Sequence, residues 1–200
     1  MLDSKFLKKK EITTMEQLME NNQLLIKSGI NILSALAGIG KTTYMLNILN
    51  NIKSKYNIYY FDADNGVTDD KSSINFYEPI NIKDLNTALE SSGSNEDIII
   101  IDSLKSYCSL FNYDIMSNID MMNLMLEFRQ LVLKYKVTII LIHHSFKEKK
   151  LKVPEEHLFG SRAIEEQCDS AFFYNKDKCK IVKNRIGLVR DSIIETPYKI

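Results

Sequence analysis

Residues Ala35 to Thr42 read Ala-Leu-Ala-Gly-Ile-Gly-Lys-Thr, directly after the apolar run Ile30-Asn31-Ile32-Leu33. Such a segment can cradle a phosphate. Its backbone N–H groups turn inward around an anion. Gly38 and Gly40 lack a Cβ, which lets the chain curl that tightly. Ala37, Gly38, Ile39, Gly40, Lys41, Thr42 and Thr43 are the expected contacts. The Lys41 ammonium, expected to be exposed, would reach β- and γ-phosphates, and the Thr42 hydroxyl would sit on Mg²⁺. The first glycine of the usual loop is replaced by Ala35, at a position that tolerates a small side chain.

Four further groups of residues could act on the same ligand. Ile98-Ile99-Ile100-Ile101-Asp102-Ser103 is an apolar run ending in a carboxylate. A buried strand would carry Asp102 to the sheet edge beside the phosphate loop, where it could hold Mg²⁺ through water. Asp64, in Tyr60-Phe61-Asp62-Ala63-Asp64, could activate the water that attacks a γ-phosphate; Asp62 and Asp64 could otherwise cap the loop that contains Asn65-Gly66. His143 and His144 follow an apolar run, and adjacent strand residues point to opposite faces. His144, one step further out, is the candidate to sense the γ-phosphate. Lys183 and Arg185, two apart on a strand, face one side and offer two cations to a phosphate. A basic run, Lys147, Lys149, Lys150 and Lys152, with Arg162 beyond it, sits just after the histidines.

Secondary structure must place these groups together. The reading gives strands at Gly29–Ser34, Asn57–Asp62, Asp97–Asp102 and Val137–Ile142, each bounded by turn residues or charges. Helices follow at Lys41 to about Ser54, Asn81 to about Ser91, and Asn118–Tyr135. The last has an inward stripe of Met121, Leu124, Met125, Phe128, Val132 and Tyr135. Thr13-Thr14-Met15-Glu16 resembles a capping box and should open a short helix to about Asn21, making residues 1–28 an N-terminal helical extension. A short helix is expected over Ser161–Gln167, then late strands at Ala171–Tyr174, Cys179–Lys183 and Ser192–Glu195 that form an antiparallel edge. Strands alternating with helices imply a mostly parallel α/β sheet. No repeat or low-complexity linker interrupts it, so residues 1–200 read as one domain.

Bulk properties narrow the setting. The chain has 200 residues, 44% hydrophobic and 26% charged, with zero net charge, as expected of a globular domain with a real core. Any nucleic-acid binding must then come from a local patch rather than a global field. No apolar stretch approaches the roughly 20 residues a membrane span needs, and Met1 to Lys10 is too polar for a signal peptide. Cys108, Cys168 and Cys179 have no metal-binding spacing, which suggests reduced thiols and a cytoplasmic protein.

From about Gly29 to Arg190, these segments together resemble the RecA-like ATPase core of hexameric replicative helicases of bacteria, phages and plasmids. The phosphate loop and metal strand are shared by many NTPases. The C-terminal half is more specific. His144-Ser145-Phe146-Lys147, Leu158-Phe159-Gly160-Ser161-Arg162-Ala163-Ile164 and Cys168-Asp169-Ser170 resemble those helicases' sensor, DNA loop and following helix. Lys183-Asn184-Arg185 with Gly187 resembles their basic finger, which reaches the neighbouring subunit's nucleotide. The resemblance implies a RecA-like P-loop NTPase fold, ATP and Mg²⁺ as ligands, and a homo-oligomer, a hexamer being the family's form. It implies that His144 is the γ-phosphate sensor and Asp64 the catalytic carboxylate, where the family usually has Glu. It also implies single-stranded DNA as partner, held by Lys147, Lys149, Lys150, Lys152 and Arg162. The closest fit is a minimal replicative ATPase of phage or plasmid type. Gly38-Ile39-Gly40-Lys41-Thr42-Thr43 and Asp62-Ala63-Asp64 also resemble partition or positioning ATPases of the ParA kind. Leu36 stands where those carry a second lysine, and no proline follows Asp102. A nucleotide-gated scaffold without catalysis is the third reading.

Overall fold

Alternation along the strands decides which side chains meet which layer. A computed structural model describes residues 25–66, 74–93, 97–145, 158–176, 178–185, 191 and 193–195. The strands are β1 (Ile30–Ala35), β2 (Ile58–Asp62), β3 (Phe76–Tyr77), β4 (Ile98–Asp102), β5 (Thr138–His144), β6 (Ser170–Asn175), β7 (Lys178–Asn184) and β8 (Ile193–Glu195). The helices are α1 (Lys41–Ile52), α2 (Ile82–Ser92), α3 (Leu104–Leu110), α4 (Asn118–Tyr135) and α5 (Arg162–Gln167). One sheet runs in the order β3-β2-β4-β5-β1-β6-β7-β8. Pairings are parallel from β3 through to β6. β7 and β8 complete an antiparallel ladder on β6. The expected antiparallel strands are therefore present, and the first of them also pairs in parallel with β1.

Each sheet face has its own core. Leu33, Ala35, Tyr60, Ile98, Ile100, Ile140 and Ile142 pack under Tyr44, Met45, Ile48 and Leu49 of α1. The alternate residues Ile30, Ile32, Phe61, Ile99, Ile101, Ile139 and Leu141 pack under α2 to α5. Strands buried on both faces read as continuous apolar runs, as Ile98–Ile101 does. The α4 stripe lies inward as its spacing requires, with Leu131 joining it. Side chains start several helices: Asn81 accepts from the Asp84 N–H, Ser117 from that of Asp120, and Ser161 from that of Ala163.

Three features depart from the sequence reading. α3 and the two-residue β3 are additional elements. β5 runs two residues further than expected, so both histidines belong to the strand. Leu25–Ser28 forms a bend and turn rather than helix, with Leu25 fully buried against the α1 core. The expected helix at 13–21 lies outside the described residues. No described helix is long and apolar enough to cross a membrane.

Candidate nucleotide site

Parallel strands deliver their C-terminal ends to one edge, and the strand order decides what meets there. β5 lies between β1 and β4, with Ala35 in register with His144 and Asp102 with Ile142. The loop after β1 therefore stands two strands from Asp102, with the end of β5 between them. Gly38 (φ 80°) and Gly40 (φ 93°) take the left-handed conformation that the curl requires. A Cβ on Gly38 would meet nothing within 4 Å, so backbone conformation is what demands glycine there. Gly40 is also the N-cap of α1 and makes no side-chain cap there. Ala37, Gly38 and Thr43 are exposed around that helix start, while Ile39, Gly40 and Thr42 are half-buried.

Lys41 corrects one expectation: it is buried, at 8% exposure. Its Nζ donates to the carbonyls of Leu36 at 3.1 Å and Ala35 at 3.4 Å, and lies 3.4 Å from Nδ1 of His144. An ammonium has three donors and no acceptor, so it closes on two carbonyls at the start of its own loop. Strand parity separates the two histidines as argued from sequence. His144 shares the α1 face with Asp102 and Lys41. His143 turns to the other face, where its Nε2 meets the Phe159 carbonyl. Burial pushes the His143 pKa down to about 4, assisted by the charges of His144 and Lys41. His143 is thus a neutral core histidine.

The metal pair expected from sequence is in contact. Thr42 donates from Oγ1 to Oδ2 of Asp102 at 2.6 Å. Tyr60, one strand over, donates its phenol to the same oxygen at 2.7 Å. Burial raises the Asp102 pKa, the two hydroxyl donors pull it back, and the charges of Asp64 and Asp62 raise it again. Burial, with the Asp102 charge beside it, raises the Tyr60 pKa well above the usual phenol value. The Thr42 hydroxyl spends its one hydrogen on Asp102 and keeps its lone pairs. A hydroxyl and a carboxylate are hard oxygen donors of the kind Mg²⁺ takes, with phosphate and water as its other ligands. Among the described residues no group of three His, Cys, Asp or Glu could hold a metal. A protein-only metal cage is thus absent there, and the donors present fit a cation carried by a nucleotide.

Asp64 reaches this edge by a route the sequence does not display. The Ala63 and Asp64 N–H groups both donate to the Asp102 carbonyl, at 2.6 and 3.1 Å. Ser103, joined to Asp102 by a cis peptide bond, donates its hydroxyl to Oδ1 of Asp64 at 2.9 Å. Asp64 is exposed while Asp102 is 5% exposed, so the two carboxylates meet different environments. Ser103 and Tyr60 are the site residues that sequence reasoning missed. Both stand inside motifs already singled out, but only the β2–β4 register shows what they touch.

Lys183 and Arg185 are not brought to this edge. β7 runs antiparallel to β6, with Ser170 opposite Asn184, which places them at the N-terminal end of β1. β1 alone spans roughly 17 Å at about 3.3 Å per step. Both face one side, as expected, and hold α5. Lys183 Nζ donates to the carbonyls of Glu165 (2.6 Å) and Glu166 (2.7 Å). Arg185 donates to Oδ1 of Asp169 (3.1 Å) and to the Glu166 carbonyl (3.2 Å). Arg162 is exposed at the start of α5, its Nε 3.7 Å from Glu166. Lys147, Lys149, Lys150 and Lys152 lie outside the described residues.

A mostly parallel sheet with a phosphate loop after β1, a carboxylate ending β4 and a polar strand end between them defines a RecA-like P-loop fold. The solved structure of the ATPase domain of G40P matches this chain with a TM-score of 0.65 over 84% of it and 81% of that domain, at 12% identity. No family model matches the chain, and no curated protein matches it.

Proposed function

We propose that this chain is a RecA-like motor ATPase. It hydrolyses ATP with Mg²⁺ and acts on single-stranded DNA as a cytoplasmic homo-oligomer, in the manner of a minimal phage- or plasmid-type replicative helicase. The observation that carries the reading is the convergence of Lys41, Thr42, Asp102, Asp64 and His144 on one sheet edge. The N–H groups of Ala37 to Thr43 and the Lys41 ammonium bind the phosphates, Lys41 exchanging loop carbonyls for phosphate oxygens. Thr42 and Asp102 hold the cation. Mg²⁺, when bound, neutralises charge on the β- and γ-phosphate oxygens. Asp64 orients a water and takes its proton as the oxygen attacks the γ-phosphorus and the bond to the β-phosphate oxygen breaks. His144, beside Lys41, reports the γ-phosphate through β5 to the basic run at 147–152, which with Arg162 contacts DNA. Lys183 and Arg185 stand too far from their own phosphate loop to serve it. They act, if released from α5, on a neighbouring subunit's nucleotide, which favours a ring of the hexameric kind.

The test is steady-state phosphate release with and without a single-stranded oligonucleotide. DNA should stimulate turnover, and replacing Lys147, Lys149, Lys150 and Lys152 by Ala should remove that stimulation while leaving basal turnover. A second reading, a nucleotide-gated scaffold, draws on the attachment of Lys183 and Arg185 to their own α5. ATP binding with no turnover, with or without DNA, would favour it.

A further inference from the structure

The carboxylate that would meet the metal is held from below as well as from the loop. Tyr60 pairs with Ile100 across β2 and β4, two positions before the Asp62–Asp102 pair. Tyr60 and Asp102 therefore point to the same sheet face, as diagonal neighbours that a long aromatic side chain can bridge. The Tyr60 ring is fully buried and leans on Phe76 at 4.8 Å between centroids. Its hydroxyl ends 2.7 Å from Oδ2 of Asp102. Thr42 donates to the same oxygen. Among the described residues no donor reaches Oδ1 of Asp102. Two donors on one oxygen fix the carboxylate's rotation and leave the other oxygen uncommitted.

We propose that Tyr60 is a positioning residue for the metal-binding carboxylate: its hydroxyl holds Asp102 through Oδ2 and leaves Oδ1 available to the Mg²⁺ that a nucleotide would bring. The proposal rests on the nucleotide site described above. The two donors divide the labour. Thr42 is half-buried at the start of α1, beside the loop, whereas Tyr60 is fully buried in the sheet core. Tyr60 thus holds the carboxylate's orientation from the core, independently of the loop. Partners of this kind, once removed, typically cost 10- to 100-fold in metal affinity.

The experiment titrates Mg²⁺ against a fluorescent ATP analogue, comparing the wild type, Tyr60→Phe and Phe76→Leu, with a further measurement in EDTA. Tyr60→Phe keeps the ring and removes only the hydroxyl. It should raise the Mg²⁺ concentration at half-saturation about tenfold, with nucleotide affinity in EDTA equal to wild type. Phe76→Leu disturbs the packing around the same ring and leaves the hydroxyl. It should lower the melting temperature without moving the Mg²⁺ midpoint. A Tyr60→Phe midpoint equal to wild type overturns the proposal and leaves the nucleotide site standing. A midpoint moved equally by Phe76→Leu overturns it as well, since packing alone would then account for the shift. A wild type whose nucleotide binding ignores Mg²⁺ overturns both the proposal and the site reading.

Discussion

Asp64 and Asp102 are two carboxylates at one edge with different surroundings. Asp102 is buried and doubly hydrogen-bonded; Asp64 is exposed, with one hydroxyl donor from Ser103. Asp64→Asn should lower turnover by about 10²-fold, the scale of a lost general base, with ATP affinity near wild type. Asp64→Glu, one methylene longer, should preserve or raise the rate. Unchanged turnover in Asp64→Asn would return this residue to capping its loop. His143 gives a prediction in pH. Its folded pKa of about 4 lies below the ordinary imidazole value of 6.5. The unfolded chain therefore binds its proton first, and stability present above the unfolded pKa is lost as pH falls from about 6.5 towards 4. The full loss is roughly 3 kcal/mol. Denaturant unfolding across this range should show the decline, and His143→Gln should remove that part of it. At this scale the loop, Thr42 and Asp102 were legible because type and spacing define them. The parity of His143 and His144 was legible too. Tyr60 and Ser103 were not, because their roles depend on β2–β4 register, and spacing within one strand does not encode the neighbour's register.

At the scale of elements, Asp169 ties the far end of the sheet together. Its Oδ2 accepts from the Ile30 N–H (2.8 Å) and from Arg129 of α4 (2.6 Å), and its Oδ1 accepts from Arg185. β1, α4 and the end of β7 thus meet on one nearly buried carboxylate. Asp169→Ala should cost about 3 kcal/mol or more in denaturant unfolding, since it strands the partly buried Arg129 cation. Arg185→Ala removes a half-exposed partner and should cost about 1 kcal/mol or less. Equal losses would mean that the hub does not rank its partners by burial. Long elements were readable for a physical reason: α4 shows its stripe over five turns, and β4 is an unbroken apolar run. α3, with seven residues, is too short for a period to show, and two-residue β3 exists only through its pairing with β2. The Asp169–Arg129 contact joins positions 40 apart, which no local pattern displays.

For the whole molecule, the sheet separates two groups of polar residues by its own length. The phosphate edge holds Lys41, Thr42, Asp64, Asp102 and His144, while Lys183 and Arg185 stand at the opposite edge, bound to α5. If Arg185 acts between subunits, Arg185→Ala should bind ATP and fail to hydrolyse it. Mixing it with Lys41→Ala subunits should restore part of the activity, because some interfaces then pair an intact loop with an intact finger. Full activity from Arg185→Ala alone would place all the chemistry within one chain. The central claim, that this edge hydrolyses ATP, is tested most directly by phosphate release from ATP and Mg²⁺, with wild type beside Lys41→Ala. The account predicts Mg²⁺-dependent turnover in the wild type. It predicts none in Lys41→Ala, which should stay folded while losing about 1–3 kcal/mol, because the buried Nζ gives up its bonds to the Leu36 and Ala35 carbonyls. Equal turnover in the two proteins, or none in the wild type, would contradict it.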